Sequence, residues 1–389
     1  MTSGSKAHPV PATCTMESPP LHLDMGAARS SVCTELTIMP RPLAKSLQDS
    51  IDSNFPIDEG FQSGGEDEDM RRLFCNILPE VSTAAVDAPF HYTSSLPSKG
   101  VRDKLIGGLN IWVGASPKAL DSVTSVVVDV HNLSLMQDDV EDNSPLRRSR
   151  PSTHSIFGID QTVNSSTCGI VEVLRRSSEM QNPAFLKIVI EELRSLLIGQ
   201  SLDLLWTHQI STPSVEEYLQ MVDGKTGGLF RMASKLMIAQ SESSNMNPTD
   251  LDALMTLLGR YFQIRDDYMN LTSQEYTKSK GFCEDLDEGK YSLIMIHALE
   301  NCDHKSRVLL DSMLLERRAT GAAGLGHKEL ILSMMQQTGS LQYAVEILSV
   351  LFNEIFELVE LIDRRTGKVN KPIRDLLAAL EIKKDSPRK

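Results

Sequence analysis

From about Ala88 onward, apolar residues recur at i, i+3, i+4 and i+7, as in Leu105, Ile106, Leu109, Trp112 and Val113. That spacing lays one apolar stripe along an α-helix. Proline and glycine clusters interrupt the period at Gly114–Pro117, Asn143–Pro145, Ser211–Pro213 and Asn245–Pro248. Each predicts a helix end, because proline lacks a backbone donor and is tolerated only in the first turn. Alternation of period two with turn dipeptides is almost absent. The run Val126–Val128 is β-branched, yet His131 and Asn132 follow at helical spacing, so it reads as buried helix. Residues 88–384 thus predict one all-α domain of roughly ten helices, with no repeat at a solenoid period.

The segment 1–80 differs. It carries Pro9, Pro11, Pro19, Pro20, Pro40, Pro42 and Pro56 among many serines and ends in the acidic run Glu66–Asp69. No apolar period persists there, so a disordered or weakly ordered extension is expected, with at most a short helix near Leu43–Ile51. The whole chain of 389 residues has 39 Lys+Arg against 52 Asp+Glu, a formal charge of −13. Nucleic acid is therefore not an expected partner. No apolar run approaches the ~20 residues that cross a bilayer, so no stable membrane insertion is expected. The N-terminus shows no basic start followed by an apolar core, and a cytoplasmic location is expected. The six cysteines are scattered, without zinc-site spacing, and read as reduced thiols.

Two acidic motifs change the picture. Asp138-Asp-Val-Glu-Asp142 ends an otherwise apolar helix. Asp138 and Asp142 stand at i and i+4, on one face and about 6 Å apart along the axis. Like charges there repel, and they oppose the helix dipole at its C-terminus. A divalent cation resolves both conflicts, and Mg²⁺ is commonly held by one or two carboxylates plus water and substrate phosphates. An EF-hand is disfavoured, because glycine is missing at the sixth position of the loop and glutamate at its twelfth. Gln263-Ile-Arg-Asp266-Asp267-Tyr-Met-Asn270 repeats the arrangement 128 residues later, with Gln263, Asp266 and Asn270 on one stripe. One such helix alone could be a solvated acidic end. Two in one helical domain suggest carboxylates facing each other across a metal–diphosphate group.

Basic residues stand near both motifs. Arg147 and Arg148 follow the first, and Lys278, Lys280 and Lys290 follow the second. Lys99 and Arg102 lie three residues apart near the first helix. Lys225-Thr226-Gly227-Gly228 interrupts a regular helical pattern, and paired glycines there cost helix stability. The interruption suggests a break that exposes Lys225 and Thr226.

Together these segments resemble the trans-isoprenyl diphosphate synthases, specifically the fungal-type geranylgeranyl diphosphate synthases. The resemblance runs from about 88 to 384 and rests on six segments in order. They are Leu96-Pro-Ser-Lys-Gly-Val-Arg102; His131-Asn132 with Asp138 to Arg148; His154-Ser-Ile-Phe-Gly158; Lys225-Thr-Gly-Gly-Leu-Phe-Arg231; Gln263 to Asn270; and Lys280-Gly-Phe-Cys-Glu-Asp-Leu-Asp-Glu-Gly-Lys290. It implies an all-α prenyl synthase fold around a deep pocket, a homodimer, and three Mg²⁺ ions per site. It implies that Asp138, Asp142 and Asp266 hold the metal. Arg147, Lys225, Lys280 and Lys290 would contact the allylic diphosphate, with Thr226, Gln263 and Asn270 completing that pocket. Lys99, Arg102, His131 and Arg148 would bind isopentenyl diphosphate.

Product length follows from the floor of the pocket. Ser134 and Leu133 lie about one turn below Asp138, where synthases resembling farnesyl diphosphate synthase place aromatic rings. No ring stands there, so a twenty-carbon product is expected and twenty-five carbons is the alternative. Gln137, Thr207 and Ser98 depart from the family's usual residues without removing a metal ligand. Two other readings are weighed. A class I terpene cyclase is disfavoured because Asn270 and Gln274 do not continue its Asn/Ser/Glu metal triad. A non-catalytic modulating subunit is disfavoured by the intact aspartates.

Overall fold

The structure is a computed structural model that describes residues 70, 74–75, 82–98, 100–241, 247–279 and 281–382. The chain divides into two units, 1–79 and 80–389. The extension expected over 1–80, with its helix near Leu43–Ile51, lies almost wholly outside the described residues. Lys99, Lys280 and the side chain of Lys278 lie outside them too.

The first helices are α1 (Ala84–Ser95), α2 (Val101–Val113) and α3 (Pro117–Glu141). A two-residue ladder follows, β1 (Leu146–Arg147) paired antiparallel with β2 (Arg150–Pro151). Then come α4 (Thr153–Phe157), α5 (Ile159–Ser178), α6 (Ala184–Gln209), α7 (Val215–Lys225), α8 (Gly227–Ala239) and α9 (Pro248–Thr272). The chain continues with α10 (Gln274–Ser279), α11 (Glu284–Glu288), α12 (Leu293–Asn301), α13 (His304–Thr320), α14 (Leu325–Gln337), α15 (Ser340–Thr366) and α16 (Lys371–Leu380). The described residues thus hold sixteen helices rather than roughly ten. Part of the surplus is the single-turn pieces α4, α10 and α11, too short to show an apolar period.

The expected breaks fall where proline and small polar residues stand. Ser116 caps α3 by accepting from Ala119 N, with Pro117 in the first turn. Asn247 and Pro248 open α9 in the same way. Ser214 and Glu217 form a capping box at the start of α7. The Val126–Val128 run is helix within α3, as expected, with Val126 and Val127 buried and Val128 half-buried at the edge of a cavity. The small ladder was not anticipated. Its turn is made by Arg148 and Ser149 at φ +54° and +64°, a left-handed pair that tightens a two-residue hairpin.

Helix α8 is the axis of the fold. Leu229, Phe230, Met232, Ala233, Leu236 and Met237 are all buried, so it is apolar around most of its circumference. Helices α2, α3, α6, α7 and α9 pack around it. This ring turns the C-terminal end of α3 and the C-terminal half of α9 toward the same end of the bundle. Helix α16 docks on α2, where a Cβ on Gly108 would stand 2.7 Å from Ile373. Asp363 pins that corner, accepting from Trp112 Nε1 at 2.9 Å and from Arg374 at 2.7 Å.

Candidate active site

Two adjoining chambers open between these helices. The first, of about 200 Å³, is bordered by Asp138 and Glu141 of α3, Gln200 of α6, Lys225 and Thr226 at the α7–α8 junction, Gln263 and Asp266 of α9, and Lys290. The second, of about 520 Å³, is bordered by Arg102 of α2, His131 of α3, and Arg147, Arg148 and Ser149 of the ladder and its turn. Arg102, His131, Leu135, Arg147, Phe262 and Asp266 border both.

Cations converge on Asp138 in the first chamber. Arg147 Nη2 stands 3.4 Å away and Lys225 Nζ 3.5 Å away. Lys225 is also paired with Asp203 at 2.6 Å. Burial alone would lower its ammonium pKa, but Asp203 and Asp138 outweigh burial and raise it. Arg147 is anchored by the buried Asp139, with its Nε donating at 2.7 Å. Gln200 donates to Glu141 at 2.7 Å and to Asp138 at 3.3 Å. Thr226 Oγ1 donates to Gln263 Oε1 at 2.5 Å, and Gln263 Nε2 donates to Asp267 at 2.8 Å. Asp267 also accepts from Tyr218 at 3.0 Å, and burial pushes its carboxyl up to about 6. Tyr276 donates to Asp266 at 2.8 Å.

Asp142 is the C-cap of α3 and does not border the chamber as the structure stands. Its Oδ2 lies 2.9 Å from Lys290 Nζ, an ion pair without hydrogen-bond alignment. Burial pushes its carboxyl up to about 7, with Asp138 and Glu288 adding to the shift and Lys290 opposing it. Lys290 contacts Glu288 as well, and Glu288 accepts from Ser144 at 2.8 Å.

The second chamber is cationic. Burial, with Arg148 beside it, pushes the Arg102 guanidinium down to about 10. Arg148 donates to Leu96 O at 3.1 Å. Burial, with Arg102 and Arg148 adding, holds the His131 imidazole well below its usual range. That shift favours the neutral imidazole.

Besides Asp142, two residues stand elsewhere than expected. Leu133 is 1% exposed and faces α5, where a Cβ on Gly169 would stand 2.4 Å from its Cδ2. It does not border either chamber, whereas Ser134 borders the first. Successive helical residues point about 100° apart, and here that offset turns Leu133 toward α5 while Ser134 faces the first chamber. Asn270 is 2% exposed and borders neither chamber. Its Oδ1 accepts from Asp285 N at 3.3 Å, bracing the segment that leads to Lys290.

Several partners escaped sequence reasoning. Gln200 and Asp203 sit one turn apart on the largely apolar α6, and that spacing was the available signal. Asp139 and Glu288 lie inside the quoted motifs and support other side chains, as do Tyr218 and Tyr276, which stand in no motif.

The acidic side chains fit a hard divalent cation by their all-oxygen donor set. Among the described residues, no three acidic, histidine or cysteine side chains form a ready cage. That suits an ion that completes its shell with water and substrate phosphates.

Comparison with known proteins gives the family context. A family model described as polyprenyl synthetase matches residues 83–325. Talaropentaene synthase of Talaromyces verruculosus is 47% identical over 305 residues, covering 78% of this chain and 45% of that protein. The bifunctional sesterterpene synthase of Talaromyces wortmannii is 47% identical over 306 residues, covering 79% and 40%. Ophiobolin F synthase of Aspergillus clavatus is 44% identical over 323 residues, covering 81% and 45%. The chain thus spans less than half the length of these curated relatives.

Proposed function

Because this chain belongs to the polyprenyl synthetase family, we propose that it joins isopentenyl diphosphate head-to-tail to an allylic diphosphate and releases geranylgeranyl diphosphate. The observation that carries this reading is the wall shared by the two chambers. Joining two diphosphate esters needs two anion sites whose hydrocarbon ends meet, and fixing that meeting lowers the barrier. A cyclase acting alone takes one diphosphate and has no use for a second cationic chamber.

In this reading Asp138, Asp142 and Asp266 hold Mg²⁺, which when bound supplies positive charge to the allylic diphosphate. Lys225, Lys290 and Arg147, now drawn onto carboxylates, turn to that diphosphate. Lys99 and Lys280 join the two anion sites by their place in the motifs. As the allylic C–O bond breaks, its electron pair leaves on the diphosphate, where these cations stabilise it. The Thr226 and Gln263 oxygens direct their dipoles toward the allylic carbon. Arg102 and Arg148 bind the isopentenyl diphosphate, with His131 as a neutral donor. The isopentenyl double bond attacks the allylic carbon, and the proton it sheds passes to a diphosphate oxygen.

Ser134 presents no ring to the chamber, which supports a product longer than fifteen carbons. A second reading is favoured by length and by the names of the relatives. Proteins called bifunctional sesterterpene and type I diterpene synthases are covered to only 40% and 39% of their length. This chain would then correspond to their prenyl-transferring part, with cyclisation done elsewhere. A homodimer belongs to the same proposal. Ile159, Val163 and Val171 of α5 and Ile190, Ile198 and Leu205 of α6 are exposed, leaving apolar area for a second copy to cover. No described helix is long and apolar enough to cross a membrane, and a cytoplasmic site of action completes the reading.

The test is direct. Purified protein is incubated with Mg²⁺, isopentenyl diphosphate and each of dimethylallyl, geranyl and farnesyl diphosphate, and the dephosphorylated alcohols are sized. Geranylgeraniol is expected. A fifteen-carbon end product would overturn the open floor at Ser134, and no elongation from any starter would overturn prenyl transfer.

A further inference from the structure

The junction between α7 and α8 carries two of the chamber's polar residues, and something must hold its shape. Thr226 N still donates to Val222 O at 3.0 Å. The next carbonyl, Asp223 O, accepts from Arg231 Nη1 at 2.8 Å. A side-chain N–H from the following turn thus caps a carbonyl at the end of α7, where backbone donors run out. A Cβ on Gly227 would stand 2.8 Å from that same Nη1, so the glycine leaves room for the guanidinium. Arg231 Nη2 lies 3.3 Å from Ser195 Oγ and 3.1 Å from Glu192 Oε2, both on α6. Glu192 is itself buried and takes Lys235 Nζ at 2.7 Å. Arg231 borders neither chamber and instead lines a separate cleft of about 810 Å³ behind the junction.

We propose that Arg231, seated on Glu192, is a positioning residue that fixes the α7–α8 junction and thereby aims Lys225 and Thr226 into the first chamber. The inference rests on the reading of that chamber as the prenyl-transfer site. Arg231 acts from behind: its guanidinium holds Asp223 O to α6, and the chain leaves the far side with Lys225 directed at Asp203 and Asp138.

The test combines kinetics with hydrogen exchange on Arg231→Met, Lys225→Ala and their double variant. Arg231→Met should lower kcat/KM for the allylic diphosphate by about tenfold or more and leave KM for isopentenyl diphosphate within about twofold. Because Arg231 works through Lys225 and Thr226, the double variant should fall well short of the product of the two single losses, the signature of coupled sites. Amides 225–229 should exchange faster in Arg231→Met than in the wild type. Arg231→Lys, which keeps one donor, should recover part of the loss. If Arg231→Met does not fold, Glu192→Gln, which removes the charge under the guanidinium, should show the same kinetic split and faster exchange. Losses that multiply in the double variant would overturn the proposal, as would a lowered melting temperature with unchanged kinetics. Absence of turnover by the wild type would sink the prenyl-transfer reading alone. Exchange at 225–229 then decides the matter, and unchanged rates would overturn the role of Arg231.

Discussion

At Asp138, three neighbours of complementary charge or polarity surround one carboxylate: Arg147, Lys225 and Gln200. Replacing it by alanine removes a proposed metal ligand and leaves those cations facing one another. Activity of the purified Asp138→Ala protein should fall by about 10²–10³-fold or more, the range for losing one preorganised electrostatic group, while its circular dichroism stays native. Retained activity would favour a scaffold over an enzyme. The second chamber gives a graded prediction. Arg102→Gln should raise KM for isopentenyl diphosphate by about tenfold or more, since a charge-assisted hydrogen bond contributes roughly 1.5–3 kcal/mol. His131→Gln keeps a neutral donor and should change that KM by only a few-fold. The acidic motifs and the Lys225-Thr-Gly-Gly break were legible in the sequence because each contradicts its surroundings: carboxylates on an apolar helix, glycines in a helical run. Gln200 and Asp203 give the same kind of signal on α6 but as a lone pair without a motif around them, and they were missed. Leu133 was assigned to the floor because sequence distance along a helix conveys depth more readily than azimuth.

Helix α6 meets α7 at unusually short range, and glycine is the reason. A Cβ on Gly199 would stand 2.2 Å from Lys225 N and 2.7 Å from Met221 O. Those are backbone atoms, so relief requires the two helices to separate. At Gly169 the obstacle is the tip of the Leu133 side chain, 2.4 Å from the added atom, which can rotate. Gly199→Ala should therefore destabilise more than Gly169→Ala. A loss at or above about 1–3 kcal/mol, the range for overpacking, is expected from Gly199→Ala in urea titration. Equal losses would show that the α6–α7 contact is looser than drawn. Helix type and most long boundaries could be read from apolar period and caps, since Ser116-Pro117, Ser214 with Glu217, and Asn247-Pro248 act locally. Helix-to-helix distance could not, because Gly199 looks like any tolerated glycine until its neighbour is known. The ladder at Leu146–Pro151 was equally silent, since two residues per strand cannot display an alternation.

For the molecule as a whole, assembly is the open variable. Val163 on α5 is 41% exposed and Ile190 on α6 is 47% exposed, although both are large apolar side chains. If the α5–α6 face is where a second copy sits, Val163→Glu and Ile190→Glu should each shift the protein toward monomer in sedimentation velocity, with little change in the monomer's melting temperature. Unaltered sedimentation of both variants would move the interface elsewhere. Fold class was evident at this scale from the long helical period, which one chain can display by itself. The association of chains leaves no periodic mark beyond exposed apolar residues, which are common on any surface.

On the proposed function, the partition of Arg102, His131, Leu135, Arg147, Phe262 and Asp266 has two tenants and no insulation between them. A residue trimmed or enlarged there cannot favour one ester in private. Widening at Phe262, for instance, should loosen starter and extender together, and their affinities across a mutant panel should rise and fall as a pair. Independent adjustment of either partner is left to side chains that only one of them can touch: Arg148 on one side, Lys225 and Ser134 on the other.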